Sequence, residues 1–351
     1  MVALEPKLRP VLRQLEAFPD TRYMGSKRKL GPFLLEVLAT LEFETALDAM
    51  SGSGLVAYLM KAMGKATTAN DYLEFCSEIA QASVANSRIT LSADEVEFLC
   101  TPNPDADDFI RRTFRGLYFG DEDNAFLDHF SANVRDLKGA SRSLALAAIV
   151  SSSLKARPRG VFTYVGRRYD DGRRDLRLSL DQQFREAVAR WNAAVFDNGR
   201  INRALNLDVF SIKESFDLVY LDPPYVSPHS DNEYTRRYHF VEGLMSYWTK
   251  VQIQDETKTK KFPNKPSLFS SKRTIHEAFD RFAAQFPEST LVISYSSSGI
   301  PAPQELVELL KKHRKRVEVF EQPHSYSFGT HSHLRGNGNN RVLEYVFVAH
   351  R

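Results

Sequence analysis

Asp222-Pro223-Pro224-Tyr225 is the run in this 351-residue chain whose residue types and order carry the most chemistry. Each proline fixes its own φ and confines the residue before it, so the Asp222 side chain and the Pro223 carbonyl can be held facing one point. Two acceptors facing one point suit a planar NH₂ group, such as the exocyclic amine of adenine. That amine is a poor nucleophile because its lone pair is delocalised into the ring. Drawing both its hydrogens into hydrogen bonds favours a more tetrahedral, more reactive nitrogen. Tyr225 adds a flat face for a base. The four residues follow Phe216 to Leu221 (FDLVYL), an apolar run of strand composition. They therefore fall at the carboxyl end of a sheet strand, where open α/β folds gather their ligands.

Two other stretches suit a nucleoside ligand. Leu47 to Gly54 reads LDAMSGSG, and Asp48, Gly52 and Gly54 lie in a glycine-rich turn between a strand and a helix, where backbone can approach a cofactor. About twenty residues on, Asn70-Asp71 ends a second strand, a position from which an acid can hold a ribose diol. No lysine follows the glycines as in a phosphate-binding loop, which disfavours a nucleoside triphosphate. Upstream, Arg22 to Leu30 (RYMGSKRKL) has small residues, Gly25 among them, between Tyr23 and Lys27, and Lys27 can meet a carboxylate.

The elements that must position these residues alternate strand and helix. Thr45 to Met50, Ala66 to Asn70, Phe216 to Leu221 and Thr290 to Tyr295 read as strands, with helical stretches at Leu55 to Met63, from about Leu73, and at Gln304 to His313. Alternation of this kind predicts a mostly parallel sheet covered on both faces. Arg316 to Phe320 and Val342 to Val348 flank the turn RGNGNNR, which predicts an antiparallel C-terminal hairpin. From about Ile89 to Arg203 the rhythm breaks. Helical runs at Ser143 to Lys155 and Asp181 to Val195 enclose a basic stretch in which eight cations stand against three aspartates, with Phe162, Tyr164 and Tyr169 interleaved. Lys155, Arg157, Arg159, Arg167, Arg168, Arg173 and Arg174 are its candidates for contact with nucleic-acid phosphate.

Composition bounds the rest. A net charge of +3 and a pI of 8.7 are too mild to identify a nucleic-acid binder alone. No window approaches the ~18 consecutive apolar residues of a membrane span, and the N-terminus has no secretory pattern, so the protein is expected in the cytoplasm. Cys76 and Cys100 are too few for a disulfide framework or a zinc site. His324, His331 and His333 lack companion carboxylates or cysteines at ligand spacing, so no metal is expected.

Taken together and in this order, the three elements resemble the Dam-like (alpha-group) N6-adenine-specific DNA methyltransferases. In that family a Y-x-G-[SG]-K element precedes D-x-F-x-G-x-G, then comes a recognition insertion, then DPPY. The likeness covers roughly residues 20 to 90 and 200 to 350. It implies a Rossmann-like S-adenosylmethionine-dependent methyltransferase fold, with residues 1–90 and 200–351 catalytic and 91–199 an inserted target-recognition domain. By the same resemblance, Tyr23, Gly25 and Lys27 are first-motif cofactor contacts, Lys27 meeting the methionine carboxylate. Asp48, Gly52 and Gly54 form the glycine loop, Asp71 holds the ribose, Asp208 contacts the cofactor adenine, and Asp222 and Tyr225 form the catalytic pair, with Pro223 and Pro224 between them. Met50 stands where the family usually has phenylalanine, which keeps the bulk. The activity implied is methyl transfer from S-adenosyl-L-methionine to the N6 amine of a flipped-out adenine in double-stranded DNA. A monomer or weak dimer is expected, acting as the modification enzyme of a restriction-modification system with a separate endonuclease. The segment Val226 to Tyr238 reads as a mobile loop over the base. The rival readings are methylation of RNA adenine, cytosine N4 or a protein amide through the same proline turn, and a catalytically silent DNA-binding regulator on this scaffold.

Overall fold

A computed structural model describes residues 6–166, 169–226, 233–265, 267–325 and 341–351. Among these, seven strands form one sheet: β1 (Thr45–Asp48), β2 (Ala66–Asn70), β3 (Arg203–Leu205), β4 (Leu218–Leu221), β5 (Thr290–Ser296), β6 (Arg316–Ser325) and β7 (Arg341–His350). The order across the sheet is β3-β2-β1-β4-β5-β7-β6. β1 to β5 run parallel to one another, and β7 runs antiparallel to both β5 and β6. The expected parallel sheet and C-terminal antiparallel pair are both present; most of the hairpin tip lies outside the described residues.

The helices are α1 (Arg9–Ala17), α2 (Gly31–Leu38), α3 (Leu55–Ala62), α4 (Glu74–Ala80), α5 (Ala93–Cys100), α6 (Phe109–Thr113), α7 (Asp121–Asn133), α8 (Gly139–Lys155), α9 (Leu180–Ala194), α10 (Tyr234–Met245), α11 (Ile275–Gln285) and α12 (Pro303–Lys311). Several start where the sequence supplies a cap. Ser92 and Glu95 form a capping box at α5, as do Ser179 and Gln182 at α9, and prolines open α1, α2 and α12. None of the described helices is long and apolar enough to cross a membrane.

Side-chain alternation along the strands sorts the interior into two clusters, one on each face of the sheet. Ala46, Leu218, Tyr220, Val292, Val346 and Val348 face one cluster, and Leu47, Val219, Leu221, Leu291, Ile293 and Phe347 the other. The second cluster is closed by α11 and α12. The first is closed by α1 to α4 and, in continuity with them, by residues of every helix from α5 to α10. α8 is buried without a break from Ser143 to Leu154, which is why no polar stripe marks it in the sequence. Helices α5 to α9, within residues 91–199, thus share one apolar cluster with α1 to α4. The break in rhythm at 90 and 200 is one of connectivity, because these helices complete the outer layer on one face.

Candidate active site

The site forms at the carboxyl ends of β1, β2 and β4, and β1 and β4 flank the point where strand order reverses. Asp48 ends β1 with its Oδ2 accepting the Ala57 amide in the first turn of α3, 2.9 Å away. Its Oδ1 is buried and has no hydrogen-bond partner among the described residues. The turn that follows contains Gly52 at φ +49° and Gly54 at φ +78°, conformations an L side chain resists. A Cβ on Gly52 would lie 2.9 Å from the Tyr23 ring.

Asp71 organises this turn from the next strand. One carboxylate oxygen accepts Gly52 N–H at 2.8 Å and the other accepts Leu73 N–H at 2.9 Å. Each oxygen keeps a lone pair for a further donor. Burial pushes the Asp71 carboxyl up to about 6, against the opposing pull of those two N–H groups. Asn70 ties its neighbours together, donating to Ala49 O and Leu207 O and accepting Leu207 N–H. Asp208, just beyond β3, is exposed and caps its own turn by accepting Phe210 N–H at 2.8 Å.

At the end of β4, Asp222 Oδ2 lies 2.6 Å from Lys27 Nζ, and Asp222 Oδ1 accepts from the Tyr225 hydroxyl at 3.1 Å. Lys27, buried, also sits 5.1 Å from the Tyr225 ring centroid. Besides Asp222, the Lys27 ammonium donates to Gly25 O at 3.3 Å. Burial raises the Asp222 carboxyl above its ordinary range, and Lys27 is the chief influence pulling it down. Asp48 is raised well above that range by burial and then by the nearby Asp222 charge. Pro223 is buried and Pro224 half-buried, and the segment is anchored where Ile300 N–H reaches Val226 O at 2.9 Å.

Two site residues escaped the sequence reading. Tyr234 and Tyr238, spaced one helical turn apart on α10, stack on Tyr23 at centroid distances of 5.6 and 4.9 Å. Tyr238 Oη accepts Met24 N–H at 2.7 Å, and Tyr234 Oη–H donates to Met24 O at 3.3 Å. A Cβ on Gly25 would meet Tyr234 Oη at 3.0 Å, so Gly25 lets this helix close on the turn. The expected loop from Val226 to Tyr238 is accordingly helical from Tyr234 onward; residues 227–232 lie outside the description. The Tyr-x-x-x-Tyr spacing was the available signal.

The basic stretch divides sharply. Arg157 is 1% exposed and donates to Tyr118 O, Gly166 O and Tyr164 O at 3.0, 3.1 and 2.8 Å. It is an internal strut, which corrects its expected role on phosphate: a guanidinium committed to backbone carbonyls is not offered to solvent. Arg173 is half-buried, with Nε 2.9 Å from Asp171 and Nη2 on Pro158 O. Arg159 stacks 3.7 Å from the Tyr169 ring centroid. Lys155 is half-buried at the end of α8, its ammonium lowered by burial and by Arg190. Arg174 is exposed and pairs with Glu186 through both guanidinium termini. Arg167, Arg168, His331 and His333 lie outside the described residues. Among the described residues no group of three or more His, Cys, Asp or Glu is disposed to hold a metal.

The chain is similar in sequence to known proteins. A profile described as D12 class N6 adenine-specific DNA methyltransferase matches residues 23–290. Type II methyltransferase M2.HphI of Haemophilus parahaemolyticus is 28% identical over 326 residues, covering 88% of this chain and 92% of that protein. Modification methylase LlaI of Lactococcus lactis subsp. lactis is 24% identical over 357 aligned positions, covering 93% of this chain and 54% of its own. Type II methyltransferase M.FokI of Planomicrobium okeanokoites is 24% identical over 155 residues, 43% of this chain and 23% of that protein.

Proposed function

The chain belongs to the D12 class N6 adenine-specific DNA methyltransferase family, and from that premise we propose that it transfers a methyl group from S-adenosyl-L-methionine to the N6 amine of adenine in duplex DNA. The observation that carries this reading is the juxtaposition of Asp222 and Tyr225 at the end of β4 with the glycine turn at the end of β1, across the switch point of the sheet. The residues present fit that cofactor. A buried, unpartnered Asp48 oxygen, a glycine whose Cβ position is closed by Tyr23, and the acids Asp71 and Asp208 suit a cationic nucleoside with a ribose diol, and no lysine stands at the glycines to hold phosphate. Bound there, the cofactor supplies an electrophilic methyl on a sulfonium.

The chain's own residues do the rest. Asp222 accepts a hydrogen bond from the target amine, and this interaction strengthens as the nitrogen pyramidalises. Lys27 holds the Asp222 carboxylate in its ionised, accepting form. The Tyr225 ring offers a face to the base, which must leave the helical stack to reach the cleft at a cost of a few kcal/mol. We assign DNA contact to the segment from Lys155 to Arg177, with Arg174 and Arg177 the exposed cations of its described part and Arg157 its internal support. The names of the relatives support a modification enzyme of a restriction-modification system, with an endonuclease acting separately.

The test is radiolabelled methyl transfer to duplex DNA, followed by digestion to nucleosides and mass identification of the product. N6-methyladenine is expected from the wild-type protein. Asp222→Ala is expected to lower turnover by about 10²-fold or more, the scale for losing one preorganised partner of the reacting group, while calorimetry still registers cofactor binding. N4-methylcytosine as product, or transfer to RNA alone, refutes the assignment, and cofactor binding with no transfer to any DNA favours the silent regulator.

A further inference from the structure

Glu344 is a carboxylate where the sheet calls for an aliphatic side chain. It sits two residues before Val346 and four before Val348 on the same face of β7, and both valines belong to the apolar cluster there. Glu344 is itself 1% exposed. Because β7 runs antiparallel to β5, Glu344 pairs with Ser296 at the carboxyl end of β5. That end also bears Asp222, on the adjacent β4. On the same face Tyr220 donates to Ser294 at 2.7 Å, so the sheet turns polar where the ligands gather.

The contact that matters is to Tyr225. Its hydroxyl lies 3.1 Å from Glu344 Oε2 and 3.1 Å from Asp222 Oδ1. A phenol has one proton, and it can donate to only one of these oxygens fully at a time. When it donates to Asp222 it takes one of the two lone pairs of Oδ1, the oxygen that Lys27 leaves open, and so weakens it as an acceptor for the target amine. When it donates to Glu344 that acceptor is released, and the ring stays tethered on its other side by edge contact with Tyr295 at 5.1 Å.

We propose that Glu344 is a positioning residue that draws the Tyr225 hydroxyl away from Asp222 and so frees the Asp222 carboxylate to accept the target amine. The proposal rests on the reading of Asp222 as that acceptor. Glu344 touches no reacting atom and acts on the amine's acceptor chiefly through Tyr225, beside the repulsion its own charge adds at Asp222. In the ground state the phenol is shared; with the base seated, the amine takes Asp222 Oδ1 and the phenol hydrogen bond passes to Glu344. No bond other than hydrogen bonds changes in this step.

The experiment is a double-substitution cycle of Glu344→Ala and Tyr225→Phe, with Glu344→Gln as the near-isosteric variant. In the wild-type background Glu344→Ala is expected to lower kcat by about 10-fold to 100-fold, the span that one hydrogen bond to a charged group corresponds to, with KM for DNA and cofactor affinity little changed. Glu344→Gln, which still accepts, recovers most of the loss. In the Tyr225→Phe background, where no hydroxyl competes for Asp222, Glu344→Ala has little further effect. Equal losses in both backgrounds, or no loss in the first, overturn the proposal. A readout without catalysis separates this from the functional reading: with tyrosines labelled at Cζ, the resonance that Tyr225→Phe removes is expected to move in Glu344→Gln. An unmoved resonance overturns the tether whether or not the protein methylates DNA. Absence of transfer by the wild-type protein, with the resonance moving, counts against the functional reading and leaves the tether standing.

Discussion

Arg157→Met is expected to destabilise the fold without altering the salt dependence of DNA binding. Three carbonyls, the buried one of Tyr118 and the part-buried ones of Tyr164 and Gly166, accept from the Arg157 guanidinium, which also lies 4.6 Å from the Tyr164 ring centroid and 5.2 Å from that of Tyr118. Methionine fills similar space and donates nothing. Hydrogen bonds to a charged group contribute roughly 1.5–3 kcal/mol each, and a plain sum for three exceeds about 5 kcal/mol. Two effects reduce it: the variant no longer buries a charge, and Gly166 O, near the exposed end of the turn, can recover water. A net loss of about 3 kcal/mol is the result. Urea unfolding followed by the fluorescence of Trp191 and Trp248 measures it as a lower midpoint at unchanged slope. DNA affinity is titrated against salt in parallel, with Arg174→Ala as the comparison. Arg174, exposed on Glu186, is expected to leave the unfolding midpoint in place and to reduce the salt slope by about one. A stability loss below about 1 kcal/mol for Arg157→Met, together with a salt slope reduced by about one, would refute the internal-strut reading and return Arg157 to the DNA surface.

Two further outcomes follow from the carboxylates. Lys27→Met removes the cation that opposes burial at Asp222, so the acid limb of the kcat profile is expected to move to higher pH, with activity partly recovered in alkali; weakened cofactor binding at an unmoved limb would instead make Lys27 a cofactor ligand. Asp71, raised to about 6, accepts best when ionised, so cofactor affinity by calorimetry is expected to hold above that pH and to fall as pH drops through it. Asp71→Asn flattens the profile, and a wild-type profile flat down to about pH 5 excludes the role. The unliganded fold has the opposite slope: a raised folded pKa means that Asp71 costs stability as pH rises from about 4 to about 6.

What the sequence disclosed tracks how local each determinant is. β1, β4 and β5 are largely apolar runs buried on both faces, so apolar continuity marked them, whereas β2 (ATTAN) was marked by its place between two helical stretches. β3, three residues at the edge beside β2, has no such run. The Asp222 to Tyr225 run and the glycine turn were legible because their chemistry is contiguous. Arg157 was misread because a charged residue in a basic stretch looks the same whether it faces water or the carbonyls of residues 118, 164 and 166. Glu344 left a trace, the single charge in VLEYVFV at a position where period two calls for an apolar residue. Its partner Tyr225 is 119 residues away, and only the sheet brings them together.

The charges at the site explain why one lysine is enough. Asp48, Asp71 and Asp222 end three adjoining strands, and burial raises all three carboxyls. With Glu344 behind Tyr225 the cleft holds four buried or half-buried acids against Lys27. Such a cleft is costly to keep fully ionised when empty, because like charges in a low dielectric repel and raise one another. A cationic ligand relieves that cost on arrival, so part of its affinity comes from the strain of the unliganded site. In the proposed reaction the positive charge passes from sulfur to the amine nitrogen with the methyl group, and leaves the cleft when that nitrogen releases a proton. The acids that welcomed the substrate form then lose one of the charges they were arranged around, and the same carboxylates that favour cofactor entry favour product exit.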